Sequence, residues 1–303
     1  MRGCHPTTSF RSSLLVLVAT VTACAAAQAP PAFDSSRAYT HVREQVALGP
    51  RPAGSAANQK TRDYIRRVLE EAGYDSTEQP FEATTPVGRV RMANVIATLP
   101  GRRPERLILA SHFDTKPFDD IRFVGANDGA SSTGVLLELA RVLKTRPTPP
   151  LTIEFLFFDG EEAFGEWQAP NHTYGSRHYV AAARADGTLS SIRALVLLDM
   201  VGDRNLNLRR DTNSTPWLTD LFWATARRLG HGAHFLNEPL PVEDDHMAFL
   251  DAGIPAVDLI DLDYPEWHTA GDTLDKVSAR SLQVVGDVVL AALPDVEARL
   301  LAR

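Results

Sequence analysis

Two adjacent glutamates, Glu161 and Glu162, follow an apolar run that is typical of a buried strand. The run, residues 153–158, is rich in aromatic and β-branched side chains, as in a sheet covered on both faces. Asp159 and Gly160 end this strand, so both glutamates are predicted in the loop at its carboxyl end, where open α/β sheets bind ligands. Neighbouring anions repel each other unless a cation or a shared proton relieves them. The repulsion would be relieved if one carboxylate bound a metal and its neighbour transferred protons. The ordinary alternative is an acidic turn exposed to solvent.

Polar residues follow the other candidate strands in the same way. They are His112, Asp114, Asp128, Asp199 and His268. Each has an ordinary structural interpretation: Asp128 can cap a helix, His112 can be a loop histidine, and Asp199 can end a strand in a turn. Because the carboxyl ends of parallel strands meet at one edge of a sheet, we expect all of these side chains near the two glutamates. Their oxygen and nitrogen ligands, without sulfur, suit a Zn²⁺ site of the hydrolytic type.

The elements that must position these residues are predicted from hydrophobic periodicity. Helices are predicted at residues 61–72, 131–144, 216–229 and 279–293, and strands at residues 93–99, 106–110, 153–158, 194–198 and 255–260. Strands that alternate with helices indicate an α/β sheet covered on both faces. No linker-like composition divides residues 38–303, so a single domain is predicted there.

Composition restricts the chemistry that is available. The chain has 303 residues, of which 44% are hydrophobic and 23% charged, as expected of a globular protein. Its net charge is −7 and its basic residues are scattered, so no nucleic-acid partner is expected. Its two cysteines, Cys4 and Cys24, both lie in the N-terminal segment, which leaves the rest without a disulfide or a thiolate ligand. A bound metal must therefore be held by carboxylates and imidazoles.

The N-terminus has the pattern of an export signal. Arg2 and Arg11 precede the apolar run 14–21, and small residues follow it. Residues 1–27 are predicted to be a signal peptide, too short to span a membrane as a mature helix, and residues 28–37 a linker. Two processing sites stay open: cleavage near Ala27, or a lipobox that ends at Cys24 and would anchor the protein by a lipid. We expect an exported protein, periplasmic or extracellular.

Seven segments of the chain resemble the zinc aminopeptidase family, peptidase family M28, and within it the glutaminyl-peptide cyclotransferases (glutaminyl cyclases). They are SHFDTK (111–116), FVGANDGASSTGVLLELAR (123–141), FFDGEEAFGEW (157–167), YGSRH (174–178), LVLLDMVG (195–202), VEDDHMAFLDAGIPAVDLI (242–260) and YPEWHT (264–269). Together they run through residues 105–275. The cyclase branch is favoured by Trp167, five residues after DGEE, and by Trp267 directly before His268.

The resemblance implies a three-layer α/β sandwich with a mixed, mostly parallel central sheet covered by helices on both faces. It also implies one Zn²⁺ bound by Asp128, Glu162 and His268, with Glu161 as the general acid/base. The reaction would convert the N-terminal glutamine of a peptide or protein to pyroglutamate and release ammonia. Glu161 would take a proton from the attacking α-amine and pass it to the leaving nitrogen.

The other matching residues would shape the pocket around this reaction. Asp199 and Asp244 would form a carboxylate hydrogen-bond network with Glu161 and raise its pKa by like-charge repulsion. Trp167 and Trp267 would wall the pocket and exclude water. Trp217 and Trp223, on a predicted helix, are expected in the core.

Two departures from the animal cyclases stand out. Asp258 occupies the position where those enzymes have a histidine near the metal, and the loop before His268 is one residue shorter. Asp258 would act as a hydrogen-bond acceptor or mark a different substrate. His246 is expected to be structural, at the start of a short helix over residues 246–252.

Two other interpretations stay open. In a co-catalytic two-zinc aminopeptidase, His112 and Asp199 would hold a second metal with Asp128 bridging, and Glu161 would activate a bridging water. In the cyclase interpretation one metal suffices, because the substrate's own amine is the nucleophile, and His112 would be a bystander. A degenerate, non-enzymatic binding domain would be expected to have lost ligands, and none is lost here.

We expect a monomer that acts on the N-termini of peptides or proteins.

Overall fold

The computed structural model describes residues 1–3 and 32–302. The predicted signal peptide lies outside the described residues apart from its first three, and so do Cys4 and Cys24. Within the described part of the chain, no helix combines the length and the apolar character needed to cross a bilayer.

A six-stranded sheet forms the centre of the fold, beside a separate two-stranded sheet. The strands are β1 (Ser76–Thr85), β2 (Gly88–Leu99), β3 (Arg103–His112), β4 (Leu151–Phe158), β5 (Ile192–Asp199), β6 (Leu208–Asp211), β7 (Phe235–Leu240) and β8 (Ala256–Ile260). The large sheet has the order β1-β2-β4-β3-β5-β8, and β6 pairs with β7. β4, β3, β5 and β8 are parallel, whereas β2 pairs antiparallel with both β1 and β4. The carboxyl ends of four neighbouring strands therefore meet at one edge.

Helices cover both faces of this sheet. They are α1 (Ser35–Ala47), α2 (Ala56–Glu71), α3 (Ala130–Lys144), α4 (Tyr174–Ala185), α5 (Pro216–Arg228), α6 (His246–Asp251) and α7 (Ala279–Leu301). α4 and α6 pack on one face, and the other five pack on the opposite face. The predicted fold class, a three-layer α/β sandwich with a mixed, mostly parallel sheet, is confirmed.

The alternation of side chains along each strand separates the two hydrophobic cores. In β3, Leu107 and Leu109 belong to the larger core, and Ile108 and Ala110 belong to the smaller one. A strand buried on both faces has a near-continuous apolar sequence, which is why the central strands were recognisable.

The sequence predictions omit β1, the strand at one edge of the sheet. β1 has the sequence STEQPFEATT, with most of its residues exposed or half-buried, and it forms a hairpin with residues 88–97 of β2. An edge strand with solvated side chains has no continuous apolar run, so its sequence resembles a loop.

The predicted boundary between linker and domain is also wrong. α1 begins at Ser35, and the side chain of Asp34 caps it by accepting hydrogen bonds from the N–H groups of Ser36 and Arg37. Residues 35–37 of the predicted linker are therefore helical. Phe33 is buried against α7, so the folded domain begins before residue 38.

Candidate active site

The predicted site residues come together at the carboxyl edge of the parallel strands. His112 is the last residue of β3, and Asp199 is the last residue of β5. His112 pairs in register with Phe158 at the end of β4, so the loop that carries Glu161 and Glu162 begins beside it. These four polar residues are all buried, which excludes a solvated acidic turn.

Asp128 reaches this edge from the loop that precedes α3. Gly129 has a φ of +89°, and a Cβ atom there would lie 2.8 Å from the carbonyl oxygen of Asp114, so this turn requires glycine. α3 begins directly after Gly129, and no side chain caps it. Asp128 is therefore not a helix cap. Its carboxylate oxygens lie 3.3 Å from Nε2 of His112 and 3.4 Å from Nε2 of His268.

Asp128, Glu162 and His268 form a cluster that fits a metal ion. Their ligand atoms lie within 4.8 Å of one another, and Oε2 of Glu162 is 3.3 Å from Nε2 of His268. In the described part of the chain, Oδ2 of Asp128 and both carboxylate oxygens of Glu162 are buried without a hydrogen-bond partner. Burial and the charge of Asp128 raise the pKa of Glu162 to about 7. Buried anionic oxygens are costly unless they are paired, and a metal cation would pair them.

His112 lies in a second cluster with Asp128 and Asp199. Nε2 of His112 is 3.0 Å from Oδ1 of Asp199, and the ligand atoms of the three residues lie within 4.8 Å of one another. Burial alone would lower the pKa of His112, but the carboxylates of Asp199 and Glu161 raise it well above its ordinary value. The ring of His112 therefore contacts three site carboxylates directly, and its role as a bystander to the metal stays a prediction.

Glu161 is placed to exchange protons at the cavity. Its side chain is nearly buried, yet it contributes to the cavity wall. Burial raises the pKa of Glu161 well above its ordinary value, and although the imidazole of His112 opposes this, the charge of Asp244 adds to it. A carboxyl group with a raised pKa can both accept and donate a proton near neutral pH.

Asp244 raises the pKa of Glu161 through its charge, and among the described residues neither Asp199 nor Asp244 forms the predicted hydrogen bond to Glu161. Oδ1 of Asp199 accepts hydrogen bonds from Nε2 of His112 at 3.0 Å and from the N–H of Met200 at 2.8 Å. Asp244 lies in the cavity wall, where burial and the charge of Asp199 raise its pKa to about 6.

Asp114 holds the loop that carries the two glutamates, a role absent from the predictions. Its carboxylate accepts hydrogen bonds from the N–H groups of Glu161, at 3.1 Å, and Glu162, at 3.2 Å. One carboxylate that spans two successive N–H groups fixes the direction in which both side chains leave the backbone. The available signal was the position of Asp114 two residues after His112 at the same strand end.

Asp272 holds together the loops that carry Asp128 and His268, and the sequence predictions missed it. Its carboxylate accepts hydrogen bonds from the N–H groups of Asn127, at 2.8 Å, and Asp128, at 3.1 Å. It also accepts one from the hydroxyl of Tyr264, at 2.7 Å, in the segment that leads to His268. Asp128 and His268 therefore share one support, and no local sequence pattern around Asp272 indicates it.

A cavity of about 300 Å³ opens at this cluster. Besides the site carboxylates and His268, it is lined by Trp167, Met200, Pro241, Val242, Glu243, Ile260, Leu262 and Trp267. Trp167 and Trp267 remain 37% and 46% exposed at this cavity, and their contact with substrate stays a prediction. Trp223 is fully buried in the core, as predicted, and Trp217 packs against the core while partly exposed.

Asp258 is buried in β8 and is not among the described side chains that line the cavity. Its Oδ2 lies 3.7 Å from Nδ1 of His246, and Oδ2 of Asp211 lies 3.1 Å from Nε2 of the same ring. His246 begins α6, as predicted, and its ring lies between the two carboxylates. The departure at Asp258 therefore affects a buried array of ionisable groups and not the cluster of Asp128, Glu162 and His268.

Comparison with known proteins gives concordant matches over most of the chain. The sequence profile of peptidase family M28 matches residues 94–293. The mouse glutaminyl-peptide cyclotransferase-like protein is 33% identical over 257 residues, which cover 74% of this chain and 66% of the mouse protein, just under two thirds of its length. The Drosophila melanogaster glutaminyl-peptide cyclotransferase is 31% identical, and the match covers 77% of this chain and 73% of the Drosophila protein. The crystal structure of an Acidobacteriales bacterium glutaminyl cyclase has a TM-score of 0.85 and 40% identity, and the match covers 91% of this chain and 99% of that one.

Proposed function

Because the chain belongs to peptidase family M28, and to its glutaminyl-peptide cyclotransferase branch, we propose that it converts N-terminal glutamine to pyroglutamate and releases ammonia. One observation carries this proposal. Glu161, with its raised pKa, lies beside the cluster of Asp128, Glu162 and His268 in a cavity walled by two tryptophans. The substrates are the N-termini of peptides or proteins.

The side chains around the cavity suit each part of this reaction. The substrate's α-amine bonds to the carbon of its own γ-carboxamide, and the amide nitrogen leaves as ammonia. Glu161 accepts a proton from the amine and donates it to the departing nitrogen. When bound, the metal polarises the amide carbonyl and stabilises the charge that develops on its oxygen. Trp167 and Trp267 contact the apolar part of the glutamine side chain and limit the access of water to it.

We propose a single Zn²⁺ for the cluster of Asp128, Glu162 and His268. Two carboxylates and one imidazole are accepted Zn²⁺ ligands, and three protein ligands leave one position open to substrate. The substrate's own amine is the nucleophile in this reaction, so a second ion that would activate a water is not needed. Elemental analysis of protein purified without added zinc should therefore give about one metal per chain.

A two-zinc aminopeptidase is the competing function, and one observation favours it. His112, Asp128 and Asp199 also place three ligand atoms within 4.8 Å of one another. Two metals per chain, each needed for activity, would support this function and contradict the single-zinc cyclase.

Asp272 supplies a prediction that concerns metal affinity alone. Asp272→Asn replaces one acceptor oxygen by an NH₂ group, which cannot accept a hydrogen bond from the N–H of Asn127 or Asp128. Loss of such outer support typically lowers metal affinity about 10- to 100-fold. Titration with a zinc chelator measures this. Tyr264→Phe removes only one of the three hydrogen bonds and should have the smaller effect; an unchanged affinity in Asp272→Asn would contradict this role.

The remaining sequence predictions stand as proposals about the protein in the cell. We propose that residues 1–27 export the protein to the periplasm or the extracellular space and that it acts as a monomer. Lipidation of Cys24 would hold it at a membrane. Mass spectrometry of the mature N-terminus distinguishes a lipidated Cys24 from cleavage near Ala27.

A comparison of two substrates tests the proposed function. A dipeptide that begins with glutamine should release ammonia, whereas a leucyl anilide should be hydrolysed poorly. The cyclase has no use for an activated water, and its tryptophan walls exclude one. Rapid hydrolysis of the anilide without any pyroglutamate product would replace the cyclase with the aminopeptidase.

A further inference from the structure

Trp167 belongs to an exposed loop whose two ends are anchored. The ammonium group of Lys116 donates hydrogen bonds to the carbonyl oxygens of Ala163 and Gly165, both at 3.1 Å. At the other end, the guanidinium group of Arg177 donates to the carbonyl oxygens of Pro170 and His172. Residues 165–170 between these anchors are all exposed. The anchors hold the backbone of the loop, and the direction of the indole depends on a further contact.

That contact is the ring of His172. The ring centroids of Trp167 and His172 lie 4.1 Å apart, with an angle of 14° between the planes, so the two rings are stacked. In the described part of the chain, His172 is the one ring in contact with this indole. Burial and the nearby Arg177 lower the pKa of His172, so the stacked ring is neutral at neutral pH.

His172 is in turn fixed to the backbone of the proton-transferring residue. The N–H of Thr173, the next residue, donates to the carbonyl oxygen of Glu161 at 2.7 Å, and Nδ1 of His172 lies 3.2 Å from the hydroxyl of Thr173. Consecutive contacts therefore connect the backbone of Glu161, through Thr173 and His172, to the indole of Trp167. On the opposite wall a tryptophan also stacks on a histidine, since the ring centroids of Trp267 and His268 lie 4.4 Å apart.

We propose that His172 is a positioning residue, which holds Trp167 by ring stacking as a fixed wall of the cavity at a set distance from Glu161. This inference rests on the proposed cyclase function. The wall contacts the apolar part of the substrate before and during the reaction, so its loss weakens binding more than turnover. His172 therefore acts mainly on KM.

Kinetics of His172 variants test the proposal. His172→Ala should raise KM for a glutamine-initiated peptide about 3- to 10-fold, the size expected for one stacked ring pair, and should change kcat about twofold at most. His172→Phe keeps a flat ring and should stay within about twofold of the wild-type KM. His178→Ala is the matched control, because His178 stacks on Phe81 at 4.4 Å and 11° outside the cavity.

A double-mutant cycle shows whether His172 acts through Trp167. In a Trp167→Leu background the stack is already lost, so His172→Ala should have no further effect on KM. Additive effects would overturn the proposal, and so would a wild-type KM in His172→Ala or a KM in His172→Phe as high as that in His172→Ala.

Fluorescence distinguishes failure of this inference from failure of the proposed function. Acrylamide quenching of the indole signal that Trp167→Leu removes should increase in His172→Ala and stay unchanged in His178→Ala. This readout needs no activity, so it remains decisive even if the wild-type protein forms no pyroglutamate. Equal quenching in His172→Ala and the wild type would overturn the inference. A melting curve for each variant verifies that it is folded.

Discussion

Glu161→Gln is expected to lower kcat/KM for a glutamine-initiated peptide by about 10²- to 10⁴-fold while the metal stays bound. The amide has nearly the size of the carboxylate but cannot take a proton from the attacking amine. The cluster of Asp128, Glu162 and His268 is unchanged by this substitution, so metal content should equal that of the wild type. Kinetics and elemental analysis on the same preparation measure both results.

Glu70→Gln is the matched control for this variant. Glu70 lies on the exposed side of α2, so the substitution removes the same charge far from the site, and kinetics should match the wild type. If Glu161→Gln releases the metal while Glu162→Gln retains it, the roles of the two glutamates are the reverse of those proposed.

Removal of any one metal ligand is expected to abolish both metal retention and activity. Asp128→Ala, Glu162→Ala and His268→Ala each leave two ligands in a site that has three. The loss of affinity should exceed the roughly 10- to 100-fold that follows loss of an outer supporting hydrogen bond. Metal content after dialysis against a chelator measures the effect directly.

Asp199→Asn provides the comparison that separates the two clusters. Asp199 belongs only to the cluster with His112 and Asp128, so the single-zinc proposal predicts that this variant keeps its metal. A loss of half the metal, from two ions per chain to one, would instead assign the second cluster to a second ion.

The position of Glu161, Glu162 and Asp199 at one edge of the sheet could be predicted because the central strands are easy to recognise. Strands such as β4 and β5 are buried on both faces, so their apolar runs end abruptly in polar residues that can be read from the sequence. Parallel strands then bring Glu161, Glu162 and Asp199 to one edge without further information. The identity of the individual ligands came from the resemblance to a known family.

The supports of the site could not be predicted, because they depend on contacts that form only when the loops fold against one another. Asp272 accepts hydrogen bonds from residues about 145 positions earlier, and nothing in its neighbourhood marks it. His172 stacks on Trp167 only because the intervening loop folds back on itself. His268 has a φ of +54°, a backbone conformation that residues other than glycine rarely adopt. The surrounding structure must therefore impose it. The carboxylate partners of His112 likewise come from three other loops.

The products formed from a single peptide test the central claim most directly. A peptide that begins with glutamine is incubated with the zinc-loaded protein, and mass spectrometry identifies what remains. The cyclase proposal predicts a peptide of full length that has lost one ammonia, formed about 10²- to 10⁴-fold more slowly by Glu161→Gln. A peptide shortened by one residue, together with free glutamine, would contradict it.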